Sequence, residues 1–127
     1  MYYQYRALAL AKEIDRPEAC QDAWGADPDS GIAVVCDGVS SAIFSGQWAR
    51  ILASAVLADP PDVSSSATLA PWLARYRDTW EQKIDTSGLA WFQTAKLPLG
   101  AFSTLVFCRL EPIDDPLVVA APDVHVV

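Results

Sequence analysis

The feature that most constrains this chain is the run Gly-Ile-Ala-Val-Val-Cys at residues 31–36, which leads directly into Asp37-Gly38. The run is short, nearly all apolar and rich in β-branched side chains, so it reads as a buried strand. Such a strand cannot stand alone. Its backbone groups need paired neighbours and its side chains need a covering layer. The remainder of the 127 residues must supply both. That length corresponds to one domain, so residues 1–127 are read as a single unit.

The candidate partners are legible as changes of period. Residues 2–12 alternate, with Tyr3, Tyr5, Ala7, Ala9 and Ala11 on one face, which predicts a first strand closed by Asp15-Arg16-Pro17. A second short strand is predicted at residues 21–24, ending in the turn residues Gly25-Ala26-Asp27-Pro28-Asp29. From Gln47 the period lengthens. Trp48, Ile51, Leu52, Ala55 and Val56 form the stripe of an amphipathic helix, with Ser45 as its N-cap and Asp59-Pro60-Pro61-Asp62 as its end. Leu69, Trp72, Leu73, Tyr76, Trp80 and Ile84 make a second stripe, stopped by Asp85-Thr86-Ser87-Gly88. A short helix is predicted at 89–95, a strand at 101–110, a turn at 112–116, and further strands at 117–121 and 124–127. Strands, then helices, then strands predict an α+β fold with an antiparallel sheet.

Composition narrows the function classes. Sixteen acidic against nine basic side chains give a net charge of −7, which disfavours a broad nucleic-acid footprint. No apolar run approaches the ~20 residues of a membrane helix, and the first residues lack a signal-peptide pattern. Cys20, Cys36 and Cys108 cannot all pair and form no CxxC, which suits free, inert thiols in a reducing cytoplasm. The single histidine, His125, argues against Ser-His-Asp and Cys-His chemistry. The tryptophans on the helical stripes read as core, not as a ligand platform.

Three places could carry chemistry. Asp37-Gly38, at the end of a buried strand, offers a carboxylate and a backbone carbonyl together, a donor set for a hard cation; the same dipeptide is also a common turn. Gln21-Asp22 lies near a short strand, where the two side chains would take opposite faces or splay at an edge. Arg16 could hold a phosphate through its guanidinium, or simply be a surface charge.

Taken together, Cys20-Gln21-Asp22-Ala23, the stretch from Gly31 to Ser40, Gly46 and Ala49 opening a helix, and Gly100-Ala101-Phe102-Ser103-Thr104-Leu105 resemble the metal-dependent Ser/Thr protein phosphatases of type 2C, in their divergent bacterial branch. The resemblance implies a four-layer α/β/β/α sandwich of antiparallel sheets, with two main helices packed on one sheet. It implies two Mg²⁺ or Mn²⁺ ions and a metal-activated water that hydrolyses phosphoserine or phosphothreonine in a phosphoprotein substrate. It makes Asp37 the bridging ligand, Gly38 a carbonyl ligand, Gln21 a stand-in for the usual glutamate, Asp22 the carboxylate that orients metal-bound water, and Arg16 the phosphate-binding arginine.

The sequence also departs from that pattern. Gln21 brings no charge, Arg16 lies one residue further from Asp22 than usual, and Ser40-Ser41-Ala42 replaces Gly-Gly-His. The family domain is roughly twice as long and ends in acidic motifs with no counterpart here. The expectation is therefore an N-terminal half, weakly active or inactive, or else a non-catalytic phosphatase-like binding module. Half a sandwich leaves one sheet face bare, to be covered by a homodimer or by a missing C-terminal half.

Overall fold

The computed structural model describes residues 4–8, 20–112 and 123–126. Four strands form one antiparallel sheet in sequence order: β1 (Asp22–Asp27), β2 (Ile32–Gly38), β3 (Ser103–Arg109) and β4 (Asp123–Val126). Between β2 and β3 come α1 (Ser45–Ala58), α2 (Ser66–Lys83), the short α3 (Trp91–Thr94) and a 3₁₀ turn at Leu97–Leu99. The α+β class and the antiparallel sheet follow the sequence reading.

The central strand is only half buried. Ile32, Val34, Cys36 and Gly38 point into the core, whereas Ala33, Val35 and Asp37 are exposed. The predicted buried strand is corrected here: α1 covers one face of the sheet, and an apolar run can alternate in burial without alternating in polarity. Ala23, Leu105 and Phe107 join the covered face. On the other face, Val35 is 58 % exposed, Trp24 48 % and Val106 39 %. These three are direct neighbours across the strands, because Trp24 opposes Val35 and Val35 opposes Val106.

The first hairpin turns later than its composition suggests. β1 continues through Gly25, Ala26 and Asp27, and the turn occupies residues 28–31. Gly25 serves packing instead, since a Cβ there would lie 2.6 Å from Leu57 of α1. Asp27 organises the turn. Its Oδ2 accepts from Ser30 Oγ (2.7 Å) and its Oδ1 from Asp29 N–H (3.0 Å), while Gly31 takes a positive φ of 71° and donates to the Asp27 carbonyl. Both contacts to the carboxylate favour its ionised form, so its pKa falls below the usual value, chiefly through Ser30.

The α1 stripe is buried as predicted, at Trp48, Ile51, Leu52, Ala55 and Val56. The helix starts two residues before Gln47, and its N-cap is Phe44, in the left-handed region at φ 56°. Ser45 is therefore not the cap. It is buried, and its Oγ accepts from Phe102 N–H (3.2 Å), tying the loop before β3 to the helix start.

α2 packs against α1 and adds Trp72 and Trp80 to the same cluster. Ser65 caps it, accepting from Thr68 N–H (3.3 Å). Two indoles fix its position. Trp72 Nε1 donates to the Asp59 carbonyl (2.6 Å) beyond the end of α1, and Trp80 Nε1 donates to the Phe44 carbonyl (3.2 Å) at its start. Trp48, Trp72 and Trp80 are thus core residues, whereas Trp91 and Trp24 are exposed.

Residues 4–8 lie outside any strand, so the predicted first strand does not form there; Tyr5 instead meets Trp24 edge-on, with ring centroids 6.2 Å apart. The remainder of that prediction, Arg16, and the turn and strand predicted at 113–121 lie outside the described residues. The 101–110 prediction becomes β3, and the last predicted strand becomes β4.

One-sided burial has a direct test in urea unfolding at concentrations where the chain is monomeric. Leu105→Ala is expected to cost about 2–5 kcal/mol. Val35→Ala, on the bare face, should cost less than about 1 kcal/mol. In the turn, Ser30→Ala should raise the Asp27 pKa, read by carboxyl-carbon NMR titration. Asp27 contributes stability above its unfolded pKa and loses it as the pH falls through the folded one, so the variant should lose less stability over that acid range.

Candidate functional site

The site builds outward from Gly38, the last residue of β2. Its N–H donates to the Gln21 carbonyl (3.1 Å), which extends the β1–β2 pairing past the start of β1. A Cβ on residue 38 would lie 2.7 Å from the Gln21 carbonyl oxygen and 2.8 Å from that of Ser45. Both obstacles are backbone, so neither can swing aside. Gly38 is glycine because the β1 entry and the first turn of α1 close on it from two sides.

That convergence fixes the carboxylates. Asp22 and Asp37 are register partners across the first hairpin, and both are exposed on the bare face of the sheet. Directly opposed residues of an antiparallel pair have Cβ atoms about 4.5–5.5 Å apart, close enough for both carboxylates to reach one ion. The Asp37 backbone is anchored on its other side, where its N–H donates to Thr104 Oγ1 (3.2 Å) on β3. Like charges directly opposed repel, and a cation between or beside them relieves that repulsion.

Gln21 behaves differently from its neighbour. Its Cα lies 3.4 Å from where a Cβ on Gly46 would stand, which sets it under the first turn of α1. Its Oε1 is buried with no hydrogen-bond donor among the described residues. A buried acceptor without a donor is costly, and it is the type of oxygen a hard cation or an N–H would satisfy. Arg16 lies outside the described residues.

The carboxylates open into a cleft of about 510 Å³, also lined by Arg6, Leu8, Cys20, Trp24 and Val35. Arg6 is the residue that sequence reasoning missed. It was one polar position in an alternating segment, and only the path of residues 4–8 beside β1 brings it to the cleft. Cys36 behaves as an inert structural thiol: it is buried, and desolvation pushes its pKa up to about 12.

The donor set suits a hard cation in kind: two carboxylates side by side and a nearby amide oxygen lacking a donor. In number it is small. Among the described residues, no group of three or more His, Cys, Asp or Glu side chains converges. No described helix is long and apolar enough to cross a membrane. Comparison of the chain with protein-family models, with curated proteins and with solved structures finds no match.

Two measurements check this geometry. Gly38→Ala should destabilise the fold by about 1–3 kcal/mol or more, because the methyl group has only backbone to displace. Cys36 should resist thiol reagents in the native protein at pH 8 and react once urea unfolds it. Its raised pKa favours the folded state below the unfolded thiol pKa, and that contribution fades as the pH rises towards 12.

Proposed function

We propose that this chain is a type 2C-like phosphoprotein phosphatase domain in which Asp22 and Asp37 hold a Mg²⁺ or Mn²⁺ ion. The observation that carries the reading is the register that sets Asp22 opposite Asp37, immediately before a glycine at the strand's end. When bound, such an ion would lower the pKa of a coordinated water and neutralise charge on a phosphoryl group. The chain's own residues have simpler tasks. Asp37 and Asp22 hold the cation, Gln21 adds an amide oxygen, and Asp22 orients water. Arg6, in the same cleft, and Arg16 are the guanidinium candidates for the phosphoserine or phosphothreonine phosphate.

Two carboxylates are too few for a two-metal site, so turnover by this segment should be poor. That donor count favours a second reading, a non-catalytic phosphatase-like binding module. In either case the bare face with Trp24, Val35 and Val106 is to be covered, and a second copy of the chain completing a sandwich in the cytoplasm is the proposed cover.

The test is Mn²⁺ titration of the isotope-labelled chain. Paramagnetic broadening should begin at Asp22, Asp37 and Gly38, and Asp37→Asn should abolish it without lowering the melting temperature. Broadening elsewhere, or broadening that survives the substitution, rules the site out. Hydrolysis of a simple aryl phosphate then divides the readings: slow, metal-dependent turnover lost in Asp37→Ala supports the enzyme, and metal binding without turnover supports the module. Light scattering should report a dimer that Val35→Asp dissociates.

A further inference from the structure

The groove between α1 and α2, on the far side of α1 from the carboxylates' sheet face, has the opposite electrostatic character. It measures about 580 Å³, within the usual range for small-ligand sites. Among the described residues its charged lining side chains, Arg50 and Lys83, are both cations, in a chain whose net charge is −7. Neither is drawn into an ion pair among the described residues. Asp59, which touches the groove wall at Tyr76, is engaged by Arg75 (2.9 Å) and by the Tyr76 hydroxyl (3.2 Å).

Two further features add to the positive end of this groove. Arg50 Nη1 lies 3.5 Å from where a Cβ on Gly46 would stand, so the guanidinium folds back over the first turn of α1. That turn carries no acidic residue, so the helix's positive end is uncompensated there. The wall of the groove also contains an unmet acceptor. Gln47 lines it, and Gln47 Oε1 is buried with no donor among the described residues. The terminal torsion of a glutamine is soft, so this oxygen can reorient about it. Ser54 and Thr79 supply hydroxyls along the same walls.

We propose that this groove is a binding site for a small hydroxylated phosphate ester. The phosphoryl group sits between Arg50 and Lys83, where guanidinium supplies paired donors and ammonium a point charge. A hydroxyl on the ester's carbon skeleton donates to Gln47 Oε1. The site shares no described lining residue with the Asp22–Asp37 cleft and does not depend on its function.

The probes are inorganic phosphate, glycerol 3-phosphate and glycerol, each titrated into the full chain and followed by NMR. Both phosphates should saturate with a Kd on the order of 1 mM or tighter, shifting Gln47, Arg50, Thr79 and Lys83. Glycerol should not bind. Glycerol 3-phosphate should bind several-fold more tightly than inorganic phosphate. Arg50→Gln and Lys83→Gln, both at exposed positions, should each weaken phosphate binding at least fivefold. Gln47→Leu should erase the preference for glycerol 3-phosphate and leave inorganic phosphate binding in place. Shifts that never saturate, that centre on Asp22 and Asp37, or that ignore the Arg50 and Lys83 substitutions overturn the proposal.

Discussion

The absence of a side chain at Gly38 is the constraint on which the other placements depend. Three backbone segments meet there: the end of β2, the entry to β1 and the first turn of α1. The contact seats the start of α1 against the end of the sheet, and the Ser45 hydroxyl then ties the loop before β3 to the same point. From that corner α1 runs across the sheet and buries its stripe on Ile32, Val34, Cys36, Leu105 and Phe107. α2 is fastened in turn to both ends of α1 through the Trp72 and Trp80 indoles. The order of dependence is sheet corner, then α1, then α2.

The same corner separates two chemistries. On the bare sheet face, hairpin register concentrates negative charge at Asp22 and Asp37. Beyond α1, Arg50 and Lys83 concentrate positive charge in a groove that no described carboxylate lines. Gln21 and Gln47 each bury an amide oxygen with no donor among the described residues, one beneath the first turn of α1 and one beside it. A protein interior seldom leaves such acceptors unmet, so their clustering around one helix start is an observation that both proposed sites draw on.

Parts of this were readable from residue order. The stripes of α1 and α2 are strong period-3.6 signals, and they select the buried Trp48, Ile51, Leu52, Val56, Trp72 and Trp80, although Ala49 and Ala53 are buried outside them. The Asp37-Gly38 and Gln21-Asp22 pairs stood out as chemistry because their oxygen donors fit a hard cation. Other readings failed for definite reasons. Gly25 resembles a turn residue, but it is a gap cut for Leu57. Ser45 resembles a cap, but its hydroxyl serves a loop 57 residues away. The strand at residues 31–36 looks buried on both faces because Ala33 and Val35 are as apolar as their neighbours.

The sequence by itself determined the two main helices and the central strands, because periodicity is a local property, although the alternation at residues 4–8 yields no strand. It also determined that the sheet would be antiparallel, from the order of those segments. Tertiary structure alone decided that Asp22 would face Asp37, since register depends on where a hairpin turns, and this one turns three residues later than its glycine suggests. It alone brought Arg6 to the carboxylates, and Arg50 and Lys83, 33 positions apart, to one groove. Those placements come from close approach between backbones, a three-dimensional quantity that no local pattern of residues encodes.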